Sequence, residues 1–320
     1  MKFRKFLIAL FLVIFTSSLI KLIFLNYYII VSNSMENTLL PGDRVIVSKI
    51  HYGAKIKFKL SIASSSYIDT RLPGFSSVKR GDIIVFNLGS PNNSPLIKRC
   101  IGLPGDLVQI KNTELYVNKR IDASNNILFD YIFRSKNTNP VNALLNLSAI
   151  DSSRRSYNEK KGLYILTLSE QMANSFIRKG AKSLHKINKE PGNTSSIFPY
   201  DKIKKWSRDN YGPIRIPSKG AKINLTPSNI LMYAKYIKEE GNDIILGTQK
   251  IQINNIITSS YKFKRNYYFV LGDNRHHSVD SRWLGFIPED SIIGKALFIP
   301  YSQNLITKDI NFNRSFKRLR

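Results

Sequence analysis

The pattern of apolar and polar positions divides the chain into one long apolar block at its start and a series of short β-type runs. After Lys2, Arg4 and Lys5, residues 6–20 carry no charge until Lys21, and 22–31 is again largely apolar. A basic start before about 15 apolar residues fits a secretory leader that is removed, whereas roughly 17–25 residues are needed for a membrane helix. The uncleaved anchor is the preferred reading. Lys21 stands where a long stem reaches the far interface, and Thr16-Ser17-Ser18 matches poorly to an Ala-x-Ala exit. Basic residues ahead of the span keep the N-terminus cytoplasmic and put the rest of the chain outside. No later run suggests a second span.

Beyond the block, three units repeat one plan. Pro41-Gly42-Asp43, Arg80-Gly81-Asp82 and Pro104-Gly105-Asp106 each launch a run rich in Val, Ile or Leu, at 44–47, 83–86 and 107–110. Pro then Gly suits the centre of a type II turn, whose second residue needs positive φ. Residues 22–31 predict a strand leading into Ser34, 51–77 a loop, and strand character returns at 267–271 and 285–299. The fold expected is mainly β.

Between them, 120–260 is richer in Asn, Ser and Lys, and here helices are expected. Thr167-Leu168-Ser169-Glu170 reads as a capping box, with Leu168, Met172, Ala173, Phe176 and Ile177 on one face and Gly180 as the stop. Thr226 caps a second, Pro227 takes its first turn, Ile230, Ala234 and Ile237 share a face, and Gly241 ends it. The division expected is a start and anchor at 1–24, a β-rich domain from 25–119 and 261–310, a smaller inserted α+β domain at 120–260, and a solvated basic tail at 311–320.

Composition adds little. The 320 residues can bury a full core, and 49 Lys and Arg against 22 Asp and Glu give a formal charge of +27, which suits anionic lipid or nucleic acid and decides between neither. Cys100 is the single cysteine, so no internal disulfide forms.

Ser34, just beyond the apolar block, would be a nucleophile only with a base to take its proton. The histidines are His51, His185, His276 and His277. A triad of Ser34, His277 and Asp280 can be written, but no Gly-x-Ser-x-Gly elbow accompanies it and the β-rich plan does not suit it. A metal held by His276 and His277 with Asp273 and Asp280 is disfavoured because neighbours on extended chain point opposite ways; a polar turn is preferred for both histidines. Lys98 shares a strand face with Leu96 and Cys100, and Arg99 faces the other way. Burial can lower a lysine by up to 3–5 units from roughly 10.4. On alternation alone an exposed strand lysine is the default, since long stems often cover apolar surface.

Four segments in order, Ser32-Asn33-Ser34-Met35 with Thr38-Leu39, Gly81-Asp82 with Val85-Phe86, Lys98-Arg99 with Ile101-Gly102-Leu103-Pro104-Gly105-Asp106, and Gly272-Asp273-Asn274-Arg275 with Ser278, Asp280, Ser281 and Arg282, together resemble bacterial type I signal peptidases. The resemblance covers the anchor, 22–106 in pieces and about 267–296, and leaves most of 120–260 unmatched. It implies a signal-peptidase-type all-β catalytic domain with one N-terminal transmembrane helix and an inserted α+β domain. The implied activity is that of a membrane-anchored serine endopeptidase, without cofactor or metal, that removes signal peptides from exported preproteins. The implied location is the bacterial cytoplasmic (inner) membrane, crossed once, with the catalytic domain on the extracytoplasmic side; the implied partners are preproteins and membrane lipid, not nucleic acid. By the same resemblance Ser34 is the nucleophile and Lys98 the general base, Ser32 and the Ser34 amide hold the oxyanion, and Ser278 orients the Lys98 amine. Asp280 and Arg282 form a structural ion pair, Asp273 supports the site, and substrate pockets take small residues in an Ala-x-Ala pattern. Many members carry proline where this chain has Asn37, a change expected to alter loop stiffness and not the reacting groups. Two rivals fit less well: a self-cleaving repressor needs a DNA-binding segment where the apolar block stands, and a noncatalytic basic protein bound to a membrane surface or nucleic acid has no aromatic-interleaved basic motif behind it.

Overall fold

The computed structural model describes residues 2–59, 67–89, 94–122, 127–134, 154–158, 161–189, 196–201, 203–247 and 250–319. Its centre is an antiparallel sheet in the order β1 (Leu25–Ile29), β2 (Arg44–Ser48), β10 (Ile292–Ile299), β3 (Ile83–Phe86), β4 (Leu96–Gly102), β9 (Tyr267–Leu271) and the short strand Ile287–Pro288. Central β3 is apolar at every position because both faces are covered. Ile83 and Val85 enter one core with Val45 and Val47, while Ile84 and Phe86 enter another with Cys100 and Val270.

The three turn units share one bonding plan, which explains why aspartate follows glycine in each. The amides of Asp43, Asp82 and Asp106 donate to the carbonyls of Leu40, Lys79 and Leu103 at 3.0, 3.1 and 3.0 Å. Each carboxylate reaches back to accept from the amide of that same residue, at 2.8, 2.9 and 2.8 Å. Gly42, Gly81 and Gly105 hold φ of 93°, 91° and 89°, where a Cβ is strained.

Around this sheet the expectations need correcting in places. The region read as a loop contains an antiparallel hairpin, Lys55–Lys59 with Tyr67–Arg71; the Lys-Ile-Lys-Phe-Lys alternation is the period-2 signal that gives it away, while Ser64-Ser65-Ser66 lie outside the described residues. In 120–260, strands β6 (Leu128–Arg134) and β7 (Leu163–Ser169) pair in a four-stranded sheet with Arg155–Asn158 and Leu184–Lys186. Helix α2 (Glu170–Arg178) begins later than the capping box suggested. Ser169 is its cap, accepting from the Met172 amide at 3.3 Å, because Thr167 and Leu168 belong to β7. Helix α3 (Ile230–Glu239) buries Ile230 and Ile237 as expected and adds Met232, Tyr233 and Tyr236, with Gly241 following at φ 82°. Residues of 127–184 form a core of their own, whereas those of 197–263 share one with 101–117 and 267–286. Strand β8 (Tyr211–Arg215) pairs directly with β5 (Leu107–Lys111).

At the start, helix α1 (Lys2–Ile23) runs into β1, so the apolar stretch 22–31 is part helix and part strand. Ten large apolar side chains from Phe3 to Phe15 are exposed around α1; over the described residues, no helix is long and apolar enough to cross a membrane.

The final segment is not a solvated tail. Lys317–Arg318 pairs with β10, and Arg314 Nη2 contacts Asp43 Oδ2 at 2.5 Å and donates to Thr38 O at 3.0 Å. Asp43 is wholly buried, and that guanidinium reaches both of its carboxylate oxygens. Arg314→Ala is expected to lower the unfolding free energy by roughly 3–5 kcal/mol, as removing one partner of a buried pair does, read as a drop in denaturant midpoint at unchanged slope.

Candidate active site

Ser34 sits in a single 3-10 turn, Asn33–Met35, immediately after the β1 segment crosses to its own loop. Met35 is packed in the core beside Val45 and Val47, which fixes the turn from below. From the other side of the sheet, β4 delivers Lys98. Its Nζ lies 2.8 Å from Ser34 Oγ and donates to Ile97 O at 2.9 Å. The two residues, 64 apart in sequence, are both buried, Lys98 to 3% exposure and Ser34 to 7%.

Desolvation in this setting penalises the ammonium form. Burial pulls the Lys98 amine down to about 8, against the opposing pull of the Asp280 and Asp273 carboxylates. Each of those carboxylates is matched by its own guanidinium. Arg282 grips Asp280 with Nε to Oδ1 at 2.9 Å and Nη2 to Oδ2 at 2.8 Å, both side chains fully buried. Burial would raise Asp280, but the Arg282 charge and its hydrogen bonds, with the Gly272 amide at 3.1 Å, hold it below the usual carboxylate range. Arg99 grips Asp273 in the same two-pronged way, at 2.9 and 2.6 Å, and Thr38 Oγ1 donates to Asp273 at 2.5 Å. Arg99, set aside as a base from sequence, therefore has a different task on its face of β4.

The remaining expected residues gather here in unequal ways. Ser32 is exposed, with its Oγ 3.2 Å from Ser34 Oγ. Ser278 is buried, near Asp280 and without a well-formed hydrogen bond of its own; the two bonds of the Lys98 amine go to Ser34 and Ile97, not to Ser278. What brings Ser278 against the Ser34 turn is Gly272, where a Cβ would stand 2.2 Å from Ser278 Oγ and 2.4 Å from Ser34 O. Among the described residues, no group of three or more His, Cys, Asp or Glu is placed to hold a metal ion.

His276 and His277 lie in a polar 3-10 turn, Arg275–His277, as expected, and both are tied into the structure by acidic partners. The His276 ring is buried, with Nε2 3.0 Å from Asp209 Oδ1, and its Nδ1 accepts from the Asp130 amide at 3.1 Å. His277 Nε2 lies 2.9 Å from Asp130 Oδ1. That contact raises His277 above its ordinary value.

Two residues at the site, Glu36 and Arg154, escaped the sequence reading. Glu36 is buried, accepting from Arg154 Nε at 2.7 Å and Asn274 Nδ2 at 3.1 Å. Asn274 also donates its amide to Ser34 O at 3.1 Å. The only sequence signal was an acidic residue two positions after Ser34, inside an otherwise small and apolar stretch.

Asn37 adopts φ 82°, a region closed to proline, whose ring fixes φ near −65°. The exchange for proline thus alters the path of the backbone and not its stiffness alone. Asn37→Pro is expected to destabilise the fold by more than about 1 kcal/mol, and by more than Asn37→Gly, which can keep the positive φ; denaturant midpoints of the two variants measure the difference.

Comparison with known proteins agrees with this architecture. Signal peptidase I of Buchnera aphidicola subsp. Schizaphis graminum (strain Sg) is 30% identical over 92% of this chain and 73% of its own length. Signal peptidase I of Buchnera aphidicola subsp. Baizongia pistaciae (strain Bp) is 28% identical over 84% and 67%, and that of Aquifex aeolicus (strain VF5) 26% identical over 93% and 84%. The family model described as signal peptidase, peptidase S26, matches residues 3–166 and 212–301, well over half of the sequence, and the chain belongs to that family.

Proposed function

We propose that Ser34 and Lys98 are the reacting pair with which this chain, a serine endopeptidase of the signal peptidase family, cleaves signal peptides from preproteins. The observation that carries the assignment is the 2.8 Å approach of a buried lysine amine to a buried serine hydroxyl. Lys98 as free amine takes the Ser34 proton while Oγ attacks the scissile carbonyl. Ser32, beside Ser34 Oγ, stands where it can donate to the oxygen that becomes negative. The amine then passes its proton to the leaving amino group, and afterwards takes one from the water that hydrolyses the acyl-enzyme.

The supporting residues follow from charge. Asp280 and Asp273 are close enough to favour the ammonium, and Arg282 and Arg99 offset their fields while fixing the loops. Ser278, buried beside the turn, is the supporting hydroxyl. For substrate, β1 ends the sheet order, so an extended peptide can add along that edge, next to exposed Ile29 and Val31.

The reading extends to the membrane. What supports an anchor is that the apolar side chains of α1 from Phe3 to Phe15 are exposed all round it, the pattern of a helix that faces lipid and not a core. Lys2, Arg4 and Lys5 ahead of the apolar block favour a cytoplasmic start. A single-pass anchor in the bacterial cytoplasmic membrane, with the β-domain outside, confines enzyme and preprotein to one plane.

Ser34→Ala and Lys98→Ala are each expected to reduce preprotein cleavage by on the order of 10⁴-fold or more. For wild type, kcat/KM is expected to fall about tenfold per pH unit below an inflection near 8, because protonating Lys98 removes the base. Wild-type rates in Lys98→Ala, or a profile level down to pH 5, would refute the pair.

A further inference from the structure

Glu36 lies two residues beyond the proposed nucleophile, and a buried carboxylate there requires partners. It has two, from opposite directions. Asn274 Nδ2 donates to Oε2 at 3.1 Å, and the amide of the same asparagine donates to Ser34 O at 3.1 Å, so Asn274 ties Glu36 and Ser34 to one point on the 272–280 loop. Arg154 Nε donates to Oε1 at 2.7 Å, both side chains being largely enclosed at 15% and 8% exposure.

Arg154 belongs to neither loop. It precedes the strand Arg155–Asn158, which pairs with β7, which in turn pairs with β6. The same sheet is fastened to the site a second time, through β6. The Leu128 amide donates to Asp273 O at 2.8 Å, Leu128 bridges Asn274, and Asp130 meets both His276 and His277. Thr167 Oγ1 of β7 donates to the same Asp130 carboxylate at 2.8 Å. One sheet therefore grips the Ser34 loop through Arg154 and the Ser278 loop through β6.

We infer that Glu36, held by Arg154 and Asn274, is a positioning residue for cleavage, and that the sheet formed by 128–134, 155–158 and 163–169 acts as a brace setting the distance between the two loops of the active site. Reaction rate depends steeply on that distance, since a misplacement near 1 Å can cost about 100-fold. The brace touches neither Oγ of Ser34 nor Nζ of Lys98, so it acts on the rate of the chemical step through loop position. The inference rests on Ser34 and Lys98 being the reacting pair; loss of activity in Ser34→Ala, measured in parallel, tests that reading separately.

The test uses the full chain in detergent with a signal-peptide-bearing preprotein. Arg154→Met is expected to lower kcat about tenfold with KM within about twofold, at an unfolding midpoint close to wild type, and Arg154→Lys to recover most of the loss. Glu36→Gln is expected to lower kcat by a similar factor, and the double variant Glu36→Gln/Arg154→Met to be no slower than the worse single one, the signature of two groups acting through one contact. Unchanged kcat in Arg154→Met overturns the inference. So does a loss carried wholly by KM, or losses that multiply in the double variant. If Arg154→Met unfolds, Arg154→Gln replaces it in the same cycle with Glu36→Gln.

Discussion

The buried Lys98 amine, which we propose acts as a base when neutral, is kept in a place where two negative charges would prefer it charged, and the rest of the site answers to that tension. Burial of Lys98 favours the free amine. Asp273 and Asp280 favour the ammonium, yet neither can be dispensed with, because Asp280 accepts from the Gly272 amide and Asp273 accepts from Thr38 on the nucleophile loop. The structure reconciles the two demands by giving each carboxylate a bidentate arginine. Guanidinium suits this because it stays charged when buried and its fork matches both oxygens at once. The result is a pair of carboxylates that organise loops while much of their field is cancelled.

Seen this way, the central sheet has a specific duty. β4 carries Lys98 on one face and Arg99 on the other, so a one-residue slip would exchange the amine beside Ser34 with the partner of Asp273. Register is secured by β3 and β9, both wholly buried and both paired with β4.

What could be read from sequence followed from how local each signal was. The turn units at 41–43, 80–82 and 104–106 were legible because glycine followed by aspartate, with proline ahead in two of the three, states a turn within four residues, and the structure reproduces all three with matching φ. Ser34, Lys98, Asp273, Asp280 and Arg282 were legible as motifs. Glu36, Arg154 and Arg314 were not, because each gains its meaning from a partner 118 to 276 residues away, a separation at which charge pattern carries no address. Helix α2 illustrates the opposite failure. Its capping box was a valid local signal, overridden when β6 took Thr167 into a sheet and left Ser169 as the cap. At Asn37 the identity of the residue was plain but its φ was not, since asparagine tolerates both signs.

The long reach of these contacts bears on how the molecule is assembled. The turn carrying Ser34 is made early in synthesis, yet Thr38 waits for Asp273, 235 residues later, and Asp43 for Arg314, 271 residues later. Until nearly all of the sequence has been made, the segment around Ser34 lacks both of these distant partners. The contacts that fix this loop are therefore among the last the growing chain can form, and the arginine near its end closes the set.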